Sequence, residues 1–540
     1  MSELAIRSRL PALLLALGVT AATPSSGLAA KLVVDDPSSE GELGDDRLSL
    51  SEAIRLAGGV LSTSELSAAE RAHVKGEPGA TSADVIRVAL RKGTILTTPA
   101  GGLPVLSGND GDVFDGGGVV LQSGGEAIGM HSVSSRIEIR RFTFDGYPTG
   151  LLISATPGAG DLEDIRIRNN RFSGYGSGVV VKPNPGGSKG LRGLRIESNQ
   201  FTTESGGGNA IAVYAASAEE SGAEASDFDV SEVVIRNNDI RGGIEGIGVW
   251  GGMARPDTTV RDGRLHGVQI LGNRIHDIFD LPIAVFAGFA VQGGVVTRVE
   301  VSDVVVAKNT VSTDGTPSIH IWVVSGMAVL EPGGLAEDNH LHDVTITRNR
   351  SSGGGECPGG IQLQASQNEL GGGTVRGNVL ERVAVVGNSV SGCQSSLALF
   401  GAVVAAGHGL VEGNTLRGVR LSGNRLSDHD RGVIVSGAAA LEGSAFPLPS
   451  AQPALAQGNV ADSVEVTGNR IRGGEFGVIA IGGISNVTSD AVVGNSVTRS
   501  SESRNAVRDA GTRCQAIDDV LLGDVGGSAT DNHADFACSP

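Results

Sequence analysis

The stretch VRLSGNRLSDHDRGVIVS at 419–436 holds two short β-branched runs, one ending in Gly-Asn and the other entered through a polar turn and a glycine. The first run recurs as IRIRNN at 165–170, VVIRNN at 233–238, VQILGN at 268–273, VVVAKN at 304–309, VTITRN at 344–349, VAVVGN at 383–388 and VEVTGN at 464–469, with weaker copies ending at Asn199 and Asn495. The second recurs downstream of each as GVVVK at 178–182, AIAVY at 210–214, GIGVW at 246–250, PIAVF at 282–286, SIHIW at 318–322, GIQLQ at 360–364, SLALF at 396–400 and GVIAI at 477–481. A unit this short cannot bury an apolar face alone. Successive copies must stack, each strand pairing with its equivalent in the next coil. The fold this specifies is all-β: a right-handed parallel β-helix, a single solenoid domain with long loops on one side. Strand alternation turns Ile247 and Val249, Ile283 and Val285, Ile319 and Ile321, Ile361 and Leu363, and Leu397 and Leu399 inward as aliphatic columns. The repeated Asn suits the turn between strands, because it tolerates left-handed geometry and its amide can hydrogen-bond from coil to coil.

Composition agrees with a solenoid. A chain of 540 residues would ordinarily divide into several domains, but repetition extends one instead. Glycine fills 82 positions while aromatics are 3%, so recurring tight turns replace an aromatic core. The net charge of −18 argues against nucleic acid or an anionic membrane as partner. Residues 1–30 read as a secretory signal, with Arg7 and Arg9 ahead of the apolar run Leu10–Val19 and small residues at Ala29 and Ala30. The expected product is a secreted monomer with no membrane span. Residues 31–110 form an N-terminal cap and first coils, 111–500 the repeats, and 501–540 a C-terminal cap or tail. Within the cap, LSLSEAIRLAGG at 48–59 reads as a short amphipathic helix with Ser49 or Ser51 at its start. Cys357 and Cys393 each stand three residues before an equivalent strand position, so adjacent coils bring them within disulfide range, and Cys514 is left to pair with Cys538. No Cys-x-x-Cys or His-rich spacing points to a metal.

The stretches VVDDPSSEGELGDDRLSLSEAI at 33–54 and IRVALRKGTILTTPAGGLPVLSGNDGDVFDGGGVVL at 86–121 resemble the N-terminal region of exported bacterial right-handed parallel β-helix proteins. That region carries a Cys-Ser-Leu-Arg-Glu-Ala-type motif. Here Leu48, Ser49, Leu50, Ser51, Glu52 and Ala53 occupy it, without its Cys and Arg. The Asn-ended repeats look like those of the pectate-lyase-like superfamily. The resemblance implies that any site lies on the strand of GIGVW type and the segments after it, where that superfamily places Asp residues for hydrolysis or for calcium-assisted proton abstraction. Those Asp residues are missing from the outward positions here. Gly407-His408-Gly409 resembles the polygalacturonase Gly-His-Gly motif but lacks its paired Asp, and reads as coincidence in a glycine-rich loop.

What the outward positions do carry is an aromatic column: Tyr214, Trp250, Phe286 and Trp322, resuming at Phe400, with Gln362 and Gln364 in the gap. Two readings compete. The rings can stack against sugars, or the apolar segments that follow, such as GMAVLEPGGLAEDNHL at 326–341, can fold back and bury them as a second small core; the apolar character of those segments favours burial. Asp314 and Glu356, each four residues before its strand, are expected to be neighbours across coils, with Asp280, His276 and His320 near them. Such a pair could serve a glycosidase or hold a cation such as Ca2+, and with His320 it is the candidate catalytic group. No cofactor is expected. The leading functional expectation is binding of a polysaccharide or cell-envelope glycan by a non-catalytic face. A glycoside hydrolase or polysaccharide lyase is the alternative, and a structural surface or adhesin-type protein the second.

Overall fold

Strand after strand in the computed structural model pairs in parallel with its equivalent one coil on, as Ile247 with Ile283 and Leu363 with Leu399. The structure describes residues 29–38, 43–79, 83–155, 160–183, 190–204, 207–314, 318–330, 333–369, 373–405, 409–441, 454–485, 491–521 and 528–539. Residues 1–28 of the stretch that reads as a secretory signal, and Gly407-His408, lie outside these residues. Three walls enclose the interior of this parallel β-solenoid. A sixteen-stranded sheet holds the Asn-ended runs, a twenty-three-stranded sheet holds both short strands such as Arg425–Ser427 and long ones such as Arg431–Leu441, and a nine-stranded sheet closes the third side. Inside, one continuous apolar core runs from Ala30 to Phe536.

Two asparagine ladders mark two corners of the coil. In the first, the side-chain amide of Asn170 donates to Asn199, and the chain continues through Asn238, Asn273, Asn309, Asn349, Asn388, Asn424 and Asn469 to Asn505. The second runs Asn339, Asn378, Asn414, Asn459, Asn495 and Asn532. Asn495 therefore belongs to the second ladder, and Asn505 takes the place the sequence repeat gave it. The left-handed residue is the one before the ladder Asn: Gly272, Gly387, Gly423 and Gly468, or Asn169 and Asn237, all have φ between 55° and 67°. Glycine supplies that geometry without strain, which is why Gly-Asn recurs.

Small residues also dictate the shape of the long strands. Gly251 and Gly252 both face inward: a methyl group on the first would meet Val301 at 2.7 Å, and on the second Val260 at 2.7 Å. Two consecutive inward positions bend the strand. The equivalent pairs are Ala287-Gly288, Ser325-Gly326, Ala365-Ser366, Gly401-Ala402, Gly437-Ala438 and Gly482-Gly483. Gly326 and Gly483 lie against the second ladder, where an added methyl would stand 2.4 Å from Asn378 and 2.5 Å from Asn532.

The disulfides Cys357–Cys393 and Cys514–Cys538 form as expected, the first with a Cα separation of 4.5 Å across adjacent coils. The helix spans Leu50–Ala57 with Ser49 as N-cap in a capping box with Glu52, and it gives Leu50, Ala53, Ile54 and Leu56 to the core. Three sequence expectations change. SIHIW is two residues out of register, since Ile321 and Trp322, not Ile319 and His320, stand opposite Ile283 and Ala284. The extra length sits in the turn before this strand, and a shift of two preserves alternation, so periodicity could not detect it. The segments after the long strands are not loops: the strands continue to Val329 and Ala405, and the third sheet follows. Finally, aromatics are not confined to the outward column, because Phe144, Phe172 and Phe201 stack inside the core at 4.9 and 4.7 Å.

Candidate functional site

The bend folds the outer face of the long strands into a packed crease, the furrow, in which side chains before and after it meet, as Phe286 stacks on Phe289 at 5.8 Å. Neighbouring coils stack along it, as Tyr214 on Trp250 at 4.6 Å. Tyr214, Trp250, Phe286 and Trp322 are all buried, packed with Met253, Met327, Val324 and Val329 in one apolar cluster. The rings thus form the second small core rather than an open platform. Trp322 stands opposite Ala284 rather than Phe286, and meets the Phe286 ring edge-on at 5.2 Å. A second outer cluster, from Ala398 and Phe400 to Ile484, lines the later coils.

One coil separates the two clusters, and its outward positions are polar. Gln362 stands between Trp322 and Ala398, Gln364 between Val324 and Phe400, Gln367 between Met327 and Val403, and Glu369 between Val329 and Ala405. Gln364 is fully buried; its Oε1 accepts from the Trp322 indole at 3.1 Å, while its Nε2 has no partner. Gln367 is 6% exposed, its Nε2 donating to Glu369 at 3.4 Å and its Oε1 unpartnered. The donors and acceptors around them fix both amide orientations. Two buried, half-satisfied amides inside an apolar strip are each costly by about 1–3 kcal/mol, so they require an explanation.

Carboxylates rim the furrow. Burial, then the Asp280 charge, pushes the Glu245 carboxyl up to about 8, and one of its oxygens is enclosed without a partner. Asp280 reaches solvent, yet the protein crowding it raises its carboxyl to about 6. Burial, and then the Asp280 charge, raises the Glu369 carboxyl. The Lys182 ammonium sits 5.4 Å from the Tyr214 ring and pairs with Glu219.

His320 does not join the catalytic group expected from sequence. His320 is buried in the interior, bonded to Thr313 at 2.8 Å and to Ser351 at 2.6 Å, and burial lowers its pKa to about 4. It is a satisfied core histidine facing away from the furrow, because the shift places it in the column of Gly246 and Pro282, where the start of the long strand turns inward, beside the disulfide. Asp314 is exposed at a turn, and the pairing of Thr313 with Gly353 and Ile319 with Gly359 puts it out of line with position 356, whose side chain lies outside the described residues. Among the described residues, His320, Cys357 and Cys393 have atoms within 4.8 Å of one another, but both sulfurs belong to the disulfide. Glu245, the carboxylate at the furrow that sequence reading missed, opens its strand directly before Gly246-Ile247. That position in the repeat was the available signal.

No protein-family profile matches the chain, and no curated protein does either. Among solved structures it is similar to the A-module of the mannuronan C-5 epimerase AlgE6 of Azotobacter vinelandii, at 12% identity and a TM-score of 0.16, covering 84% of this chain and 91% of that one. It is also similar to a PL6 alginate lyase in complex with a trisaccharide, at 9% identity and a TM-score of 0.13, covering 68% and 81%. Overlap this loose says nothing about what this chain binds. No described helix is long and apolar enough to cross a membrane.

Proposed function

We propose that this protein is an exported β-solenoid that binds a polysaccharide or cell-envelope glycan in the furrow at the 359–369 coil. The observation that carries the reading is the pair of buried, half-satisfied amides of Gln364 and Gln367 in an otherwise apolar strip. Sugars present both apolar CH faces and hydroxyl groups, and a hydroxyl both donates and accepts. Gln364 Nε2 and Gln367 Oε1 are one unpaired donor and one unpaired acceptor enclosed behind the partly exposed Gln362 and Glu369, the side chains a sugar meets first and must displace to reach them. Trp322 positions Gln364 rather than serving as a platform.

A second reading, hydrolysis, rests on the placement of Glu245 opposite Leu281, which sets its carboxyl beside that of Asp280 one coil on, with burial raising both, to about 8 and about 6, the first suited to an acid and the second to a base. A glycan array followed by a reducing-end release assay on the mature chain tests both. Binding without release, lost in Gln364→Leu, supports the leading reading. Release that disappears in Glu245→Gln and Asp280→Asn supports the second, and no binding to any glycan overturns both.

A further inference from the structure

On the short strands of the second sheet, arginines stand directly opposite one another. Arg425 pairs in register with Arg470, and Arg472 with Arg508, the two columns being two residues apart on one face. All four are exposed and line a groove of about 700 Å³ with Ser389, Ser427 and Ala506. Like charges opposite each other across a strand pair are destabilising. Many surface arginines pair with a carboxylate one coil away, as Arg261 with Glu224, Arg298 with Asp262, Arg376 with Glu337, Arg382 with Asp343, Arg417 with Glu381 and Arg499 with Asp462. Where Arg140 faces Arg168 on the first sheet, Glu138 bridges them; Arg166 and Arg195 also face each other there, with Glu197 at 3.9 Å from Arg195. In the groove only Arg472 has such a contact, to exposed Asp509 at 3.4 Å. Arg425, Arg470 and Arg508 make no ion pair among the described residues, in a chain with 60 acidic side chains.

We infer that this groove is a second binding site, separate from the furrow, for a tetrahedral oxyanion ester: the sulfate or phosphate group of an anionic glycan or glycolipid. Parallel strands lie ~4.8 Å apart and alternate same-face residues ~7 Å apart, so the four guanidinium groups surround one small volume instead of tracking a line. A single sulfate or phosphate ester carries three free oxygens and up to two charges on one atom, more acceptor sites and more charge than the two oxygens of a carboxylate. Elsewhere among the described residues a carboxylate meets at most two guanidinium groups, as Asp115 does with Arg140 and Arg141. The clustering therefore suits concentrated charge rather than the evenly spaced single charges of a polycarboxylate. Arg472 also borders the adjoining cavity, where Asp428, Asp430 and Asp509 are exposed, so acidic side chains bound the site on that side and limit it to the groove.

The test titrates the mature chain with dextran sulfate, with phosphatidylcholine vesicles containing phosphatidic acid, with polygalacturonate and with single-stranded DNA. Expected are binding of dextran sulfate or of the phosphatidic acid vesicles, which distinguishes a glycan from a lipid source, at least about tenfold tighter than polygalacturonate. A loss of about tenfold per arginine is expected in Arg425→Ser and Arg470→Ser, with the Gln364→Leu variant unaffected. Equal affinity for polygalacturonate or DNA, unchanged affinity in the arginine variants, or no binding to any probe overturns the inference. Loss in Gln364→Leu instead would move the anion to the furrow and also overturn it, leaving the furrow reading in place.

Discussion

Replacing Gln367 by Met should make the protein more stable and a poorer glycan binder, an outcome that few other accounts of a buried polar residue would give. In register, Gln367 lies between Met327 and Val403, so an unbranched apolar side chain of the same length continues the strip on both sides. The substitution removes a buried carbonyl oxygen with no partner, a cost of about 1–3 kcal/mol. It forfeits one long hydrogen bond to Glu369, at 3.4 Å, worth at most about 1 kcal/mol. Volume is nearly conserved, so overpacking adds little. The net expectation is a gain of about 1 kcal/mol. Urea unfolding followed by tryptophan fluorescence reads it locally, because both tryptophans of the chain, Trp250 and Trp322, sit in the furrow. Destabilisation by 1 kcal/mol or more would mean that Gln367 completes the fold rather than awaiting a ligand, and the argument from unsatisfied amides would fail.

Other expectations concern the scaffold and its titration. Asn388→Ala deletes the amide that receives Asn349 Nδ2 at 3.0 Å and donates to Ile346 O at 2.9 Å and to Asn424, and stability should fall by at least about 3 kcal/mol in denaturant titration. Gly326→Ala drives a methyl into Asn378 and should cost about 1–3 kcal/mol, and because Asn378→Ala removes the clash along with the ladder bonds, the cost of the double variant should be less than the sum of the two single costs. For Glu245 the folded pKa, about 8, lies above the ordinary 4.5, so the folded state holds the proton more tightly and this residue's contribution is complete below pH 4.5. Stability should decline as pH rises from about 5 to 8, and Glu245→Gln should flatten that part of the pH profile of the melting temperature.

The fold was legible because its cause repeats. Gly-Asn pairs and alternating aliphatics recur in every coil, and the common offset of Cys357 and Cys393 placed a disulfide correctly. The errors share a cause as well. Alternation is blind to a shift of two residues, which misplaced Ile319, and it breaks at the start of the long strand, where His320 joins the column of Gly246 and Pro282 and turns into the core instead of outward. The Gly and Ala pairs at 251–252 or 401–402 read as the start of loops, whereas they permit a bend in a strand that continues. The second ladder hid in segments taken as loops, so Asn495 was assigned to the wrong corner. Of the furrow, Gln362, Gln364 and Trp322 were visible as outward residues. Gln367, Glu369 and Glu245 were not, since their place depends on the bend and on the strand's first residue, neither of which a β-period reveals.

The two tryptophans make the central claim directly measurable. Titrating the protein with a glycan identified on the array should shift the tryptophan emission saturably, with the same dissociation constant that calorimetry gives, and the Gln367→Met variant should lose at least about tenfold in affinity. Calorimetric binding that leaves the emission unchanged, or that survives intact in Gln367→Met, would place the ligand elsewhere and contradict the assignment of the furrow.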